Sequence, residues 1–378
     1  MEPTEINVKP EANYADWINN TNPKETGNLI KFRQVRREGD TFVKKRKPGD
    51  SDVEKRMVTF FQGDPNFRVP TMRMNWPVED ELATTYVPGV QVTRLFNLLD
   101  AVNNLNKGSN PNFKPFKVSP LEVKAAIVGE ILDDVHYFQS RNNELVSTLG
   151  KYCEPYPYVK KTLESFDSVV DCFKYFGFKP SFQNMSGVRK ELEEIAQHLS
   201  DNARFVFRDA IIDNIMFHKP ELENASNDAA ISYIANQLTK SDALDQFKGR
   251  LYHIDFETSK NLVTKSDDFA HILEHQMCSL DGSDVKGKHL EMNRDELYNM
   301  TVAARIFRFW SRRCVYLVEK SKTGADRFPN ERPEFYLNKV INALDALRSE
   351  DKNRFDNLYK FCLDMKNIDY SNIIPLKE

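Results

Sequence analysis

Two apolar runs constrain this chain more than anything else in it. They are RFVFRDAIIDNIMF at 204–217 and LYHIDFE at 251–257, and each reads as buried strand while carrying acids or an amide. Burying a carboxylate costs several kcal/mol unless a hydrogen bond, an opposite charge or a metal compensates it. Asp209, Asp213, Asn214 and Asp255 therefore imply a partner. Asp209 and Asn214 lie five residues apart, at the two ends of a short loop that leads into the apolar strand IMF. Asp255 ends the second apolar strand, LYHI, which is expected to pair with the first as a hairpin. Two oxygen ligands, Asn214 and Asp255, then converge beside a spare carboxylate, Asp209. That set suits Mg²⁺, which takes few protein carboxylates and completes its shell with water and phosphate oxygens.

The chain has 378 residues, beyond the roughly 250–300 at which single cores stop growing, so two lobes or domains are expected rather than one core. Its 40% hydrophobic and 29% charged residues, with a net charge of -3, are ordinary for a soluble protein. A dedicated nucleic-acid binder would carry a strongly basic domain. The start, MEPTEINVKPEANYADW, is polar and acidic with no apolar signal region, and no run approaches the ~20 apolar residues that span a bilayer. The expectation is a cytoplasmic protein with neither a nucleic-acid nor a membrane partner. The five cysteines are scattered and never form C-x-x-C, which reads as reduced, structural thiols.

Along the chain, residues 1–12 read as a loose, flexible tail. LIKFRQV and TFVKKRK read as strands around the turn RREGD, and DVEKRMVTFF has helical spacing after a Ser51 or Asp52 cap. FRVPTMRMN and ELATTYVPG read as two more strands, the second closed by Pro88 and Gly89. From Gln91 the pattern is helical, with a loop expected over 103–120 and a well-started helix at Ser119-Pro120. Helices are expected over 160–176 and 185–200, and again from about Arg294 to Tyr359 with a break at GADRFPNERP. The fold class is α+β: a small β-rich lobe over 13–90, then a larger, mostly helical lobe over 91–378.

At these residues the sequence resembles a family. FRDAIIDN is similar to the catalytic loop, and IDFE to the metal motif, of the aminoglycoside phosphotransferase-like branch of the protein kinase-like fold. TFVKKRKP is similar to the strand bearing the phosphate-binding lysine, VEKRMVTFF to the helix whose glutamate pairs with it, and LATTYVPG to the hinge. SDDFAHIL resembles the segment that follows the metal motif. The likeness covers about residues 13–275; beyond them only the helical character agrees.

The resemblance implies an ATP- and Mg²⁺-dependent phosphotransferase acting on a small-molecule hydroxyl. Asp209 would take the hydroxyl proton, and Asn214 and Asp255 would hold Mg²⁺. Strand alternation puts Val43 and Lys45 on one face, and the family wants a small apolar residue two positions before its lysine. Lys45 is therefore expected to grip the phosphates with Glu54 as its partner, and Lys44 to face solvent. Thr26, Gly27 and Asn28, in NPKETGNL, are the candidates for backbone contact with phosphate.

Three features depart from the family. Phe207 stands where it has histidine, which keeps open an inactive, kinase-like nucleotide-binding or regulatory protein. Residues 218–250 form an insertion with a helical centre, expected to lie near the catalytic loop and cover the acceptor side of the cleft. Only about a dozen residues separate IDFE from DDFAHIL, too short a segment to seat a polypeptide acceptor. Two further patterns are weighed beside these. HILEH, from His271 to His275, matches the inverted zinc-protease motif but overlaps the segment already accounted for. Arg305, Arg308 and Arg312 share a helical face, which is either a solvated face or an anion pocket.

Overall fold

Three antiparallel strands open the described chain: β1 (Val35–Glu38), β2 (Thr41–Lys45) and β3 (Glu81–Thr85), in the order β1-β2-β3. The computed structural model describes residues 35–45, 50–73, 81–107, 115–178, 183–204, 214–256, 261–274, 292, 294–324 and 331–370. The first turn is tighter than RREGD suggested. Arg36, Arg37 and Glu38 belong to β1, and Gly39 makes the reversal at φ 61°, a left-handed conformation that costs glycine nothing. Helix α1 (Asp50–Phe61) buries Val53, Met57, Val58 and Phe61, one stripe at helical spacing.

Of FRVPTMRMN, residues 67–73 are described, and these form no strand. They join the sheet at the bridge of Met72 to Thr84, with Arg73 N–H donating to the Ala83 carbonyl at 2.9 Å. Pro70 carries no N–H for a ladder, so pairing begins only beyond it.

Residues 86–88 lead from β3 into β4 (Gly89–Gln91), and from there into α2 (Val92–Lys107), so that 103–107 are helix where a loop was expected and 108–114 lie outside the described residues. β4 pairs with β7 (Ile215–His218), which pairs in turn with β8 (Leu251–His253), both antiparallel. The expected hairpin of the two apolar runs is therefore present, in the register Ile215–His253, Met216–Tyr252 and Phe217–Leu251. A third small sheet joins β5 (Glu154–Pro155), β9 (Asn261–Thr264) and β6 (Ala203–Arg204).

The remaining layers are helical. α3 (Pro120–Ser140) starts at a capping box in which Ser119 Oγ accepts the Glu122 N–H and the Glu122 carboxylate accepts the Ser119 N–H. α4 (Asn142–Leu149), α5 (Tyr158–Tyr175) and α6 (Met185–Asp201) follow. The insertion holds α7 (Pro220–Glu223) and α8 (Asn227–Leu238), and α9 (Ser266–Glu274) comes after β9. α10 (Glu296–Thr323), α11 (Pro333–Leu347) and α12 (Asp356–Lys366) complete the described chain. Of these, α10 packs on α5, α9 and α11.

The α+β, two-lobe plan agrees with the expectation, but the lobes do not keep separate cores. Their buried apolar side chains run together in one cluster. Phe61 and Phe67, from the first lobe, lie 5.3 and 5.5 Å from Phe138 of α3. Each such buried ring contributes roughly 1.5–3 kcal/mol, so this seam holds the two lobes firmly on the α1 side. No helix among the described residues is long and apolar enough to cross a membrane.

Candidate active site

The site forms where β2, α1 and the open end of the β7–β8 hairpin meet. Cross-strand partners share a face, and Lys44 sits opposite Leu82, which is 5% exposed. α1 covers that face and brings Glu54 to it. Lys44 Nζ stands 2.8 Å from Asp255 Oδ1 and 3.6 Å from Glu54 Oε2, with Lys44 and Glu54 both buried. The expected register is thus off by one. Lys44, not Lys45, turns to Glu54 and Asp255, while Lys45 is exposed at the strand end opposite Glu81. The physical reason is that α1 lies on the Lys44 face, and a buried ammonium requires carboxylates around it.

Asp255 follows β8 with φ 63°, one of two non-glycine residues with positive φ among those described. A left-handed conformation costs an L-residue roughly 1–2 kcal/mol, and Asp is among the few side chains that tolerate it. Backbone held this way persists only where the surroundings dictate it. Here the Ile254 N–H donates to the Asn214 carbonyl at 2.9 Å, so Asn214 and Asp255 occupy adjacent positions at the same end of the hairpin.

A layer beneath fixes this end, and the sequence reading missed it. His253 is fully buried, its ring stacked on Phe67 with centroids 4.4 Å apart and planes 8° off parallel. Its Nε2 lies 2.7 Å from Asp134 of α3, and its N–H donates to the Arg68 carbonyl at 2.9 Å. Phe67 also packs on Phe61, at the end of the helix that carries Glu54, and on Phe256, which follows Asp255. One aromatic cluster therefore ties the glutamate's helix to the aspartate's strand. The signal in the sequence was His253 itself, a polar ring in an apolar run. Nearby, Glu130 accepts the Gly249 N–H at 3.0 Å, and burial pushes its carboxyl up.

At the other end, residues 86–88, in the segment that the resemblance likens to a hinge, join β3 to β4. Tyr86 N–H donates to the Asp40 carbonyl at 2.7 Å, and Gly89 pairs with His218. From Thr41 to Lys44 on one side, and from His218 to Ile215 on the other, the strands run about 10 Å away from the hinge at roughly 3.4 Å per residue. Lys44, Asp255 and Asn214 gather at the far end. Asp209, Phe207, Thr26, Gly27 and Asn28 lie outside the described residues.

Residues of the other two patterns have partners among the described residues. In HILEH, His271 is held by Arg305, and Glu274 accepts bonds from the Tyr298 hydroxyl and the Lys339 ammonium, each at 2.7 Å. His275 lies outside the described residues. Within the arginine stripe, Arg305 pairs with Asp267, Arg308 lies 5.2 Å from the Tyr156 ring centre, and Arg312 lies 5.2 Å from that of Phe309.

A buried lysine held by two carboxylates where β2, α1 and the β7–β8 hairpin meet, in a two-lobed α+β fold, is what the chain presents. No family model matches the sequence, and no curated protein sequence matches it. Among solved structures, the chain is similar to ADP-bound aminoglycoside phosphotransferase APH(2'')-Ib, at 12% identity and a TM-score of 0.42, with 87% of this chain and 95% of that one covered. It is likewise similar to APH(2'')-IIa in its gentamicin complex, at 12% identity and a TM-score of 0.41, with 86% and 94% covered.

Proposed function

We propose that this chain is a phosphotransferase that moves the terminal phosphoryl group of ATP to a hydroxyl of a small molecule. The observation that carries the reading is Lys44 between Glu54 and Asp255, beside Asn214, at the end of the cleft farthest from the hinge. Lys44 takes the phosphate-gripping role first expected of Lys45, and Glu54 holds it in place. The hydroxyl oxygen forms a bond to the terminal phosphorus, the bond from that phosphorus to the ADP oxygen breaks, and the hydroxyl proton passes to Asp209. Such transfer depends on positioning and charge stabilisation rather than on covalent chemistry by the protein.

One carboxylate and one amide residue, next to an ammonium, form the sparse oxygen set that Mg²⁺ accepts. Asn214 and Asp255 would hold that ion, whose charge offsets that of the phosphates when it is bound. The backbone amides of Thr26, Gly27 and Asn28 complete the proposed nucleotide contacts. On this reading residues 13–90 are the nucleotide lobe and 91–378 the acceptor lobe. The protein works in the cytoplasm on a small hydroxyl compound, without a nucleic-acid or membrane partner.

The test sets two amide substitutions side by side, with calorimetric titration of Mg²⁺-ATP and a phosphoryl-transfer assay over a panel of small hydroxyl compounds. Asp255→Asn weakens Mg²⁺-dependent ATP binding directly. Asp209→Asn binds Mg²⁺-ATP almost normally and loses turnover by roughly 10²–10⁴-fold, the usual contribution of a positioned base. A wild-type protein that binds Mg²⁺-ATP but transfers phosphate to no acceptor, and matches Asp209→Asn, is instead the inactive relative that Phe207 left open.

A further inference from the structure

The insertion emerges from the end of the hairpin opposite Asn214 and Asp255. It leaves after His218, which pairs with Gly89 at the hinge, and returns at Leu251. α8 packs on α2, and α7 packs on β4. One side chain of the insertion, Glu223, reaches the first sheet. Its Oε1 accepts from Arg37 Nη1 at 2.6 Å and from the Tyr86 hydroxyl at 2.8 Å, with its side chain 14% exposed.

Arg37 belongs to β1 and Tyr86 to the hinge, so one carboxylate joins three segments remote in sequence. Arg37 is fixed further by donating from Nε to the Gly39 carbonyl at 2.9 Å and by lying 3.8 Å over the Tyr86 ring centre. On the other side, Arg94 of α2 holds the end of α7, donating to the Ala225 carbonyl at 2.8 Å and the Glu223 carbonyl at 3.5 Å. The Tyr86 hydroxyl is pushed up to about 12 by burial and by Glu223, so it stays protonated and keeps donating.

We propose that Glu223 is a latch by which the insertion grips the first sheet across the hinge and restrains how far the cleft opens. A charge-assisted bond to an arginine already pinned by stacking loses little freedom on forming. Arg37 is half exposed, so the latch is weak enough to open and salt-sensitive. The aromatic seam of Phe61, Phe67 and Phe138 holds α1 and the segment after it, and Glu223 holds β1 and Tyr86, so the first lobe is tethered at two places. Only the latch's effect on nucleotide affinity rests on the phosphotransferase reading; the latch is otherwise a property of the fold.

Amide hydrogen exchange of the full chain tests this. In Glu223→Ala and in Arg37→Glu, peptides covering 35–45 should exchange about 3–10-fold faster, the scale of one weak coupling, while those covering 251–253 keep their rate. Exchanging the charges in one chain, Arg37→Glu with Glu223→Arg, should restore at least half the protection. Unchanged exchange over 35–45, or a double variant no better than either single one, overturns the latch.

If Glu223→Ala also loosens 251–253, Glu223→Gln decides, because it keeps the shape and removes only the charge. Faster exchange confined to 35–45 upholds the proposal, and none overturns it. Titration with Mg²⁺-ATP separates the two readings. The single variants should bind about 3–10-fold more weakly, because a looser sheet must be ordered on binding. A wild type that binds no ATP yet shows the exchange pattern removes the phosphotransferase reading and leaves the latch. ATP binding with no exchange difference among the variants removes the latch alone.

Discussion

Lys44 is a buried ammonium beside Glu54 and Asp255, and this placement yields a clear expectation. Replacing it takes the ammonium away from both carboxylates, and removing one partner of a buried ion pair costs about 3–5 kcal/mol. Lys44→Met should therefore lose roughly that much in urea unfolding and, on the proposed reading, its phosphoryl transfer as well. Lys45→Met, at an exposed position, should stay within about 0.5 kcal/mol of the wild type. Similar losses in the two variants would mean that Lys44 is not the buried partner. The grouping of these residues was legible in the sequence: carboxylates in apolar runs pointed to the hairpin, and Glu54 was singled out as the partner of a lysine on this strand. The choice between adjacent lysines was not. Alternation says that Lys44 and Lys45 face opposite ways, but which way is inward depends on the side α1 covers, and that is a tertiary fact.

Among the elements, those with local start signals were the easiest to read. Ser119-Pro120 marked the beginning of α3, and an apolar stripe marked α1. The strands β4, β5, β6 and β9 went unread because two to four residues carry no period, and their pairing is decided by chain far away. β4 shows what such a short element needs. A Cβ added at Gly89 would overlap the Phe217 carbonyl oxygen and stand 2.8 Å from the Lys219 nitrogen, so glycine is what lets β4 lie against β7. Both neighbours are backbone and cannot swing aside. Gly89→Ala should destabilise the protein by about 2–4 kcal/mol, the upper range for a single substitution. Because β4 continues the hinge, the same variant should loosen amide protection over 215–218. Thermal unfolding with hydrogen exchange checks both, and a shift under about 0.5 kcal/mol would show that the strands part easily.

For the whole molecule, the insertion changes meaning once its place is known. The sequence showed its helical centre correctly, and chain order alone puts a connection between β7 and β8 at the end opposite Asn214 and Asp255; what it lacked were the elements on which the insertion packs. Ala230, Ile234 and Leu238 of α8 are fully buried, so the insertion is part of the common core rather than a detachable cover. Deleting it would remove core, and a single truncation is the better probe. Ile234→Ala should cost about 2–5 kcal/mol in denaturant unfolding, as buried large-to-small changes do. A loss under about 1 kcal/mol would mean that α8 packs loosely. The same arrangement leaves the exposed turn at Lys240, Ser241 and Asp242 on a segment that re-enters the fold at the hinge end, away from Lys44 and Asp255. Exposed turns are where chains accept foreign sequence best. The turn is thus a natural port for grafting a fluorescent or affinity module, wired mechanically to the first sheet through Glu223 while the end that carries Lys44 and Asp255 keeps its native surface.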